Sequence, residues 1–144
     1  MVEKVKENNM TNIVIKHFNK KGYVSFKELK IRIKRIDLYF VHKHYPKTIA
    51  VELKVYKWRD ALRQAYQNLS YAQKSYVGLW HESFSNMIAS EINKYGIGVL
   101  KIKENEVHVV ENPMNRSIGL FPSMVNILNK VSLERPNEFI WSDS

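Results

Sequence analysis

The apolar positions of the chain follow two alternating periods. Val2, Val5, Met10, Ile13, Val14 and Phe18 recur at helical spacing and Gly22 supplies a stop, which predicts a helix from about Glu3 to Lys20. Tyr23 to Lys30 then reads as a strand. From Arg35 to Val41 the period is two, with Ile36, Leu38 and Phe40 on one face and Arg35, Asp37 and Tyr39 on the other. Pro46 breaks the connector His42 to Lys47. Thr48 to Val55 alternates again, with Ile49, Val51, Leu53 and Val55 apolar and Glu52 and Lys54 sharing the opposite face.

At Trp58 the pattern turns helical, and Trp58, Leu62, Ala65, Leu69 and Ala72 form one stripe, predicting a helix to about Gln73. Ser75 to Trp80 reads as a buried strand and Ser83 to Lys94 as a helix ended by Gly96. Ile97 to Ile102 and Val107 to Val110 read as two strands around a turn at Glu104 and Asn105, and Phe121 to Val131 as a last helix. The order α, three strands, α, β, α, β, β, α implies an α/β fold with a central mixed sheet flanked by helices, in one domain over residues 1–132. Residues 133–144 form a tail whose Phe139, Ile140 and Trp141 need burial.

The 144 residues leave room for one ordinary core, and the absence of cysteine excludes a disulfide framework, a thiolate metal site and a cysteine nucleophile. No apolar run is long enough to span a membrane, and the charged start, Met1 to Asn9, lacks a hydrophobic leader core, so a soluble, cytoplasmic protein is expected. The net charge of +9 favours a polyanionic partner, nucleic acid ahead of a membrane surface. Most of the surplus lies in the first 36 residues, where ten basic residues face three acidic ones. A solvated lysine surface is the plainer reading of that excess.

Candidate chemistry gathers on adjacent strands. Asp37 lies on the polar face of the second strand, and Glu52 and Lys54 lie on the polar face of the third. If those strands are neighbours, the two carboxylates converge, and convergent carboxylates attract a hard cation such as Mg2+ (or Mn2+). Lys54 beside it could stabilise charge on a phosphate. The competing reading is an exposed strand face with an Asp37–Lys54 salt bridge of a fraction of a kcal/mol. His42 and His44 lack an evident third ligand for zinc. Gly96 and Gly98 lack the lysine and hydroxyl of a phosphate loop, so no nucleotide cofactor is expected. Trp58, Tyr66, Tyr76 and Trp80 are assigned to packing, whereas Tyr39 and Tyr56 flank the proposed site and could stack on bases.

The run Arg35, Ile36, Asp37, Leu38, then Val51, Glu52, Leu53, Lys54 and the helix after it, resembles the PD-(D/E)XK nuclease superfamily. This is the restriction endonuclease-like fold that includes archaeal Holliday junction resolvases. The resemblance covers about residues 1 to 100 and implies a magnesium-dependent DNA endonuclease. Backbone contacts that read charge and shape favour a structure-selective substrate, and a small enzyme that cuts duplex DNA is expected to act as a homodimer. The resemblance further implies Asp37, Glu52 and Leu53 as metal ligands, and Lys54 as an aid to phosphodiester hydrolysis. Gln67 is implied as a glutamine of the following helix, with Gln64 as its competitor and Tyr71 completing the glutamine-to-tyrosine motif. Ile36 stands where the family often has proline. Thr11 stands where related enzymes carry a glutamate, with Glu7 one turn earlier as the candidate replacement. Lys27, Lys30, Arg32, Lys34 and Arg35, with Lys57, Arg59 and Arg63 at the start of the long helix, are the candidate phosphate contacts. Two other readings stand beside this one: a nucleic-acid-binding module without catalysis, and an interaction subunit that docks through its tail.

Overall fold

The computed structural model describes residues 2–32, 34–116 and 122–140. Along the chain run α1 (Val2–Asn19), β1 (Tyr23–Ile31), β2 (Lys34–His42), β3 (Thr48–Lys54), α2 (Trp58–Gln67), β4 (Lys74–Trp80), α3 (Asn86–Asn93), β5 (Gly98–Lys103), β6 (Glu106–Glu111) and α4 (Pro122–Glu134). Among the described residues the strands form one six-stranded sheet in sequence order. β1, β2 and β3 are antiparallel neighbours, β3 to β5 run parallel, and β6 returns antiparallel on β5. The parallel pairs need crossovers, and α2 and α3 supply them.

One face of the sheet is covered by α1. Met10, Val14 and Phe18, four residues apart on that helix, are buried against Leu38, Phe40, Val51, Leu53 and Leu100. α1 ends where Gly22 takes φ +91°, a backbone region closed to most side chains. The other face carries two clusters. α2 and α3 bring Ala61, Ala65, Ala89 and Ile92 onto Val77, Leu79 and Val99. α4 brings Met124, Ile127, Leu128 and Val131 onto Val24, Phe26, Tyr39, Val41 and Ala50.

Covering both faces changes several expectations. Tyr39 has no exposed surface, and its hydroxyl donates to the Tyr71 carbonyl, so it is a core residue and not a stacking platform. Tyr66 is 56% exposed because it points away from the α2 stripe, contrary to its assignment to packing. α2 ends at Gln67 and tightens into a 3-10 turn over Asn68–Ser70, short of Gln73. α3 begins at Asn86, not Ser83, since the Ser85 hydroxyl caps it by accepting from the Ile88 amide. In the tail, Phe139 is buried and stacks 6.3 Å from Phe26, while Ile140 is exposed and Trp141 lies outside the described residues, as does Phe121. No described helix is long and apolar enough to cross a membrane.

Candidate nuclease-like site

β2 and β3 pair through Leu38↔Val51 and then separate, so Glu52, Leu53 and Lys54 ladder only with β4. On its other side, the ladder between β1 and β2 skips Glu28 and Asp37, where Glu28 adopts φ +49°. Asp37 therefore sits where both ladders are interrupted, and side chains take the place of the missing backbone bonds. The Asp37 amide donates to Glu52 Oε2 at 3.2 Å, and the Leu53 amide donates to Asp37 Oδ2 at 3.0 Å. The two carboxylates thus occupy a fork between diverging strands, and Glu52 is only 1% exposed.

Their electrostatics follow from that position. Burial raises the Asp37 pKa above its ordinary value, offset in part by the Leu53 amide and the charge of Lys54. Burial first, and the charge of Asp37 second, push Glu52 up to about 7, against the opposing hydrogen bond from Asn68. Glu52 resists ionisation beside Asp37, and burial disfavours the charged form of both, so an added cation would relieve the site. Asp37 and Glu52 are the residues that could hold one, each with an oxygen outside the hydrogen bonds just described. No group of three or more His, Asp or Glu residues is arranged to hold a metal ion among the described residues.

Beside the fork, α1, β1, β2 and β3 enclose a hollow of about 370 Å³, lined by Glu7, Thr11, Lys27, Glu28, Asp37 and Leu53 among others. Glu7 and Thr11 both face this hollow, one helical turn apart, and the Thr11 hydroxyl donates to the Glu7 carbonyl at 2.9 Å. Lys54 is half-buried and forms no ion pair with Asp37, whose partners are instead the Leu53 amide and Glu52. Lys34 Nζ donates to Gln67 Oε1 at 3.3 Å on the exposed side of the site, and its charge favours the ionised form of Glu52.

The α2 end differs from the motif reading. Asn68, not Gln67, reaches the carboxylates: its Nδ2 donates to Glu52 Oε2 at 2.8 Å, and it has no exposed surface. Its Oδ1 is buried with no hydrogen-bond partner among the described residues. Gln64 is half-buried, and Tyr71 packs against the α4 cluster, beyond the end of the helix. Asn68 was hidden in sequence because it sits between the two positions the motif favours. Its amide, one residue past the helix, was the only available signal.

The candidate phosphate contacts divide into groups. Lys27 lines the hollow, while Lys30 and Arg32 line a separate cleft against α4. Arg35 lies 4.0 Å from Glu28. Lys57 is the exposed residue before α2 at φ +48°, Arg59 stacks on Trp58 at 4.4 Å, and Arg63 pairs with Asp60 at 3.6 Å. His42 Nδ1 accepts from the His44 amide at 3.0 Å, a local turn.

No family model matches the chain, and no curated protein sequence matches it. Among solved structures it is similar to the SPO1766 protein of unknown function from Silicibacter pomeroyi. That match has a TM-score of 0.62 and 16% identity, and covers 91% of this chain and 92% of that one. It is also similar to a repair endonuclease from Pyrococcus abyssi, with a TM-score of 0.51 and 20% identity over 68% of this chain and 47% of that one. An EndoMS–dsDNA complex matches with a TM-score of 0.51 and 17% identity over 69% of this chain and 45% of that one. The chain spans about half the length of these last two proteins. At such identities the likeness shows the fold: a mixed sheet with flanking helices, of the endonuclease-like kind.

Proposed function

We propose that the chain is a divalent-metal-dependent DNA endonuclease that uses the PD-(D/E)XK arrangement. The observation that carries this reading is the fork itself, where Asp37 and Glu52 enter from separated strands, bond to each other's segments and are both held above their ordinary pKa. A pair so crowded is costly to bury without a compensating charge, which is the chemistry a Mg2+ or Mn2+ ion answers. With few protein ligands, such an ion keeps several waters. Asp37, Glu52 and the Leu53 carbonyl would hold it, and when bound it would make a water acidic enough to attack phosphorus.

The remaining roles belong to the chain's own groups. Asn68 fixes Glu52 Oε2, and the Leu53 amide fixes Asp37 Oδ2, so the two carboxylates keep one geometry. Lys54, unpaired among the described residues and next but one to Glu52, would stabilise the charge that develops on the phosphate. Glu7 would supply a third carboxylate from α1, across the hollow, in place of the residue at Thr11. Lys34 and Gln67, exposed together, would hold a flanking phosphate. Contacts of this kind read charge and shape, which favours a structure-selective substrate. Two copies, one for each strand, would cut a duplex.

A DNA-binding module without catalysis is the second reading, favoured by the hydroxyl at Thr11. Titration with Mg2+ and Mn2+ separates the two: the nuclease cleaves labelled DNA in proportion to the metal, whereas the module binds it and never cleaves.

A further inference from the structure

The turn that delivers Asn68 to Glu52 also delivers Ser70 to a different place. Behind the site, the end of the β1–β2 hairpin, this 3-10 turn and α4 enclose an open cleft of about 470 Å³. Its floor includes Ile31, Tyr71 and Ile127, and Lys30, Arg32 and Lys130 converge on it from β1, the hairpin turn and α4. No carboxylate lines the cleft, and none of these three cations forms an ion pair among the described residues. Other basic residues near the site are different: Arg35 and Arg63 each have an acidic partner. The Ser123 hydroxyl donates to the Ser70 carbonyl at 2.7 Å, which ties the start of α4 to the turn, and Asn126 adds an exposed amide to the rim.

We infer that this cleft is a second subsite for the sugar-phosphate backbone of a nucleic acid, and that Lys130 and Asn126 of α4 form its outer wall. This rests on the nuclease reading for the direction of the strand. A backbone whose reacting phosphate lies at Asp37 and Glu52 passes Lys34 and Gln67 and reaches the cleft through the 3-10 turn shared by both places. Three cations without an acidic partner among the described residues, around an apolar floor, match the composition of a nucleotide chain, with phosphates at the rim and sugar and base faces inside. Lys130 and Asn126 carry no signal in the sequence, since α4 reads as a simple amphipathic helix. Only its packing beside the hairpin turn places its polar face opposite Lys30 and Arg32.

The test is binding without cleavage. Fluorescence anisotropy of labelled 30-nucleotide single strands and 30-base-pair duplexes is measured in EDTA at several salt concentrations. It compares the wild type with Lys130→Gln, Arg32→Gln, Asn126→Ala and, as a control at the end of β5 on the far side of the sheet from β1, Lys103→Gln. Circular dichroism checks that each variant is folded. Loss of one phosphate contact should flatten the slope of log K against log salt by about 0.7 to 0.9 for Lys130→Gln and for Arg32→Gln, with weaker binding at every sequence. Asn126→Ala should weaken binding without changing the slope, and Lys103→Gln should change neither. Wild-type binding with unchanged slopes in both cation variants overturns the cleft and leaves the nuclease reading standing. Flattened slopes in a protein that never cleaves support the cleft and remove the nuclease reading. A wild type that binds no DNA at low salt removes both.

Discussion

Glu52→Gln should make the metal-free protein more stable at pH 8 while removing its proposed activity. Glu52 is almost fully buried, and its pKa lies at about 7 against an ordinary 4.5. Because the folded state holds the proton more tightly than the unfolded one, this contribution to stability is fully present below about pH 4.5. It is lost as pH rises through about 7. At about 1.4 kcal/mol per tenfold difference in proton affinity, the wild type forfeits on the order of 3 kcal/mol between those limits. Glutamine keeps an oxygen to accept from Asn68 and the Asp37 amide and carries no charge, so the variant avoids that loss. Urea denaturation in EDTA at pH 4.5, 6 and 8 measures it: the two proteins should be similar at pH 4.5, with a gap in favour of Glu52→Gln that opens as pH rises. A gap of either sign that does not change with pH would reduce the substitution to a packing effect and refute the argument. Saturating Mg2+ at pH 8 should raise the wild-type midpoint and leave that of the variant unmoved, since only a folded-state ligand site gains by mass action.

Asn68→Ala should cost about 1 to 3 kcal/mol in the same assay at pH 8, because it takes a buried donor from an ionised Glu52, and should lower cleavage beyond what the stability loss explains. Gly78→Ala should cost about 1 to 3 kcal/mol by thermal melting, since a Cβ there would lie 2.6 Å from Leu53 Cδ2 and 2.9 Å from Ile102 Cδ1. Phe139→Ala should cost about 3 to 5 kcal/mol, measured by chemical denaturation, because this tail residue is buried against Phe26. Near-zero loss there would make the tail free to serve a partner.

The strand alternation carried most of the fold. Two-residue periods placed Leu38 and Phe40 with Val51 and Leu53 against α1, as the core has them. Ile36, read on that same face, packs instead with Tyr39 in the α4 cluster, and Asp37 lines the hollow beside α1. The same alternation misled at Tyr39, because a central strand packed by helices on both sides buries its nominally polar face as well. The helical stripe through Leu69 and Ala72 ran past the real end of α2, since a 3-10 turn can keep burying those positions after the helical hydrogen bonds stop. That change of winding is what brings Asn68 to Glu52. It depends on how the turn meets the sheet, which residue spacing does not encode. The left-handed backbone at Glu28 and Arg32 was equally hidden, because neither residue type announces it.

Cleavage itself is the direct test of the central claim. Labelled single strands, duplexes, flaps and four-way junctions are incubated with the wild type, Asp37→Asn and Glu52→Gln across a Mg2+ and Mn2+ titration, with DNA binding measured in parallel. Metal-dependent cleavage of at least one substrate by the wild type is expected, with none by either variant and DNA affinity retained in both. Wild-type protein that binds DNA but cuts nothing at any metal concentration, or a variant that cuts at the wild-type rate, would contradict it.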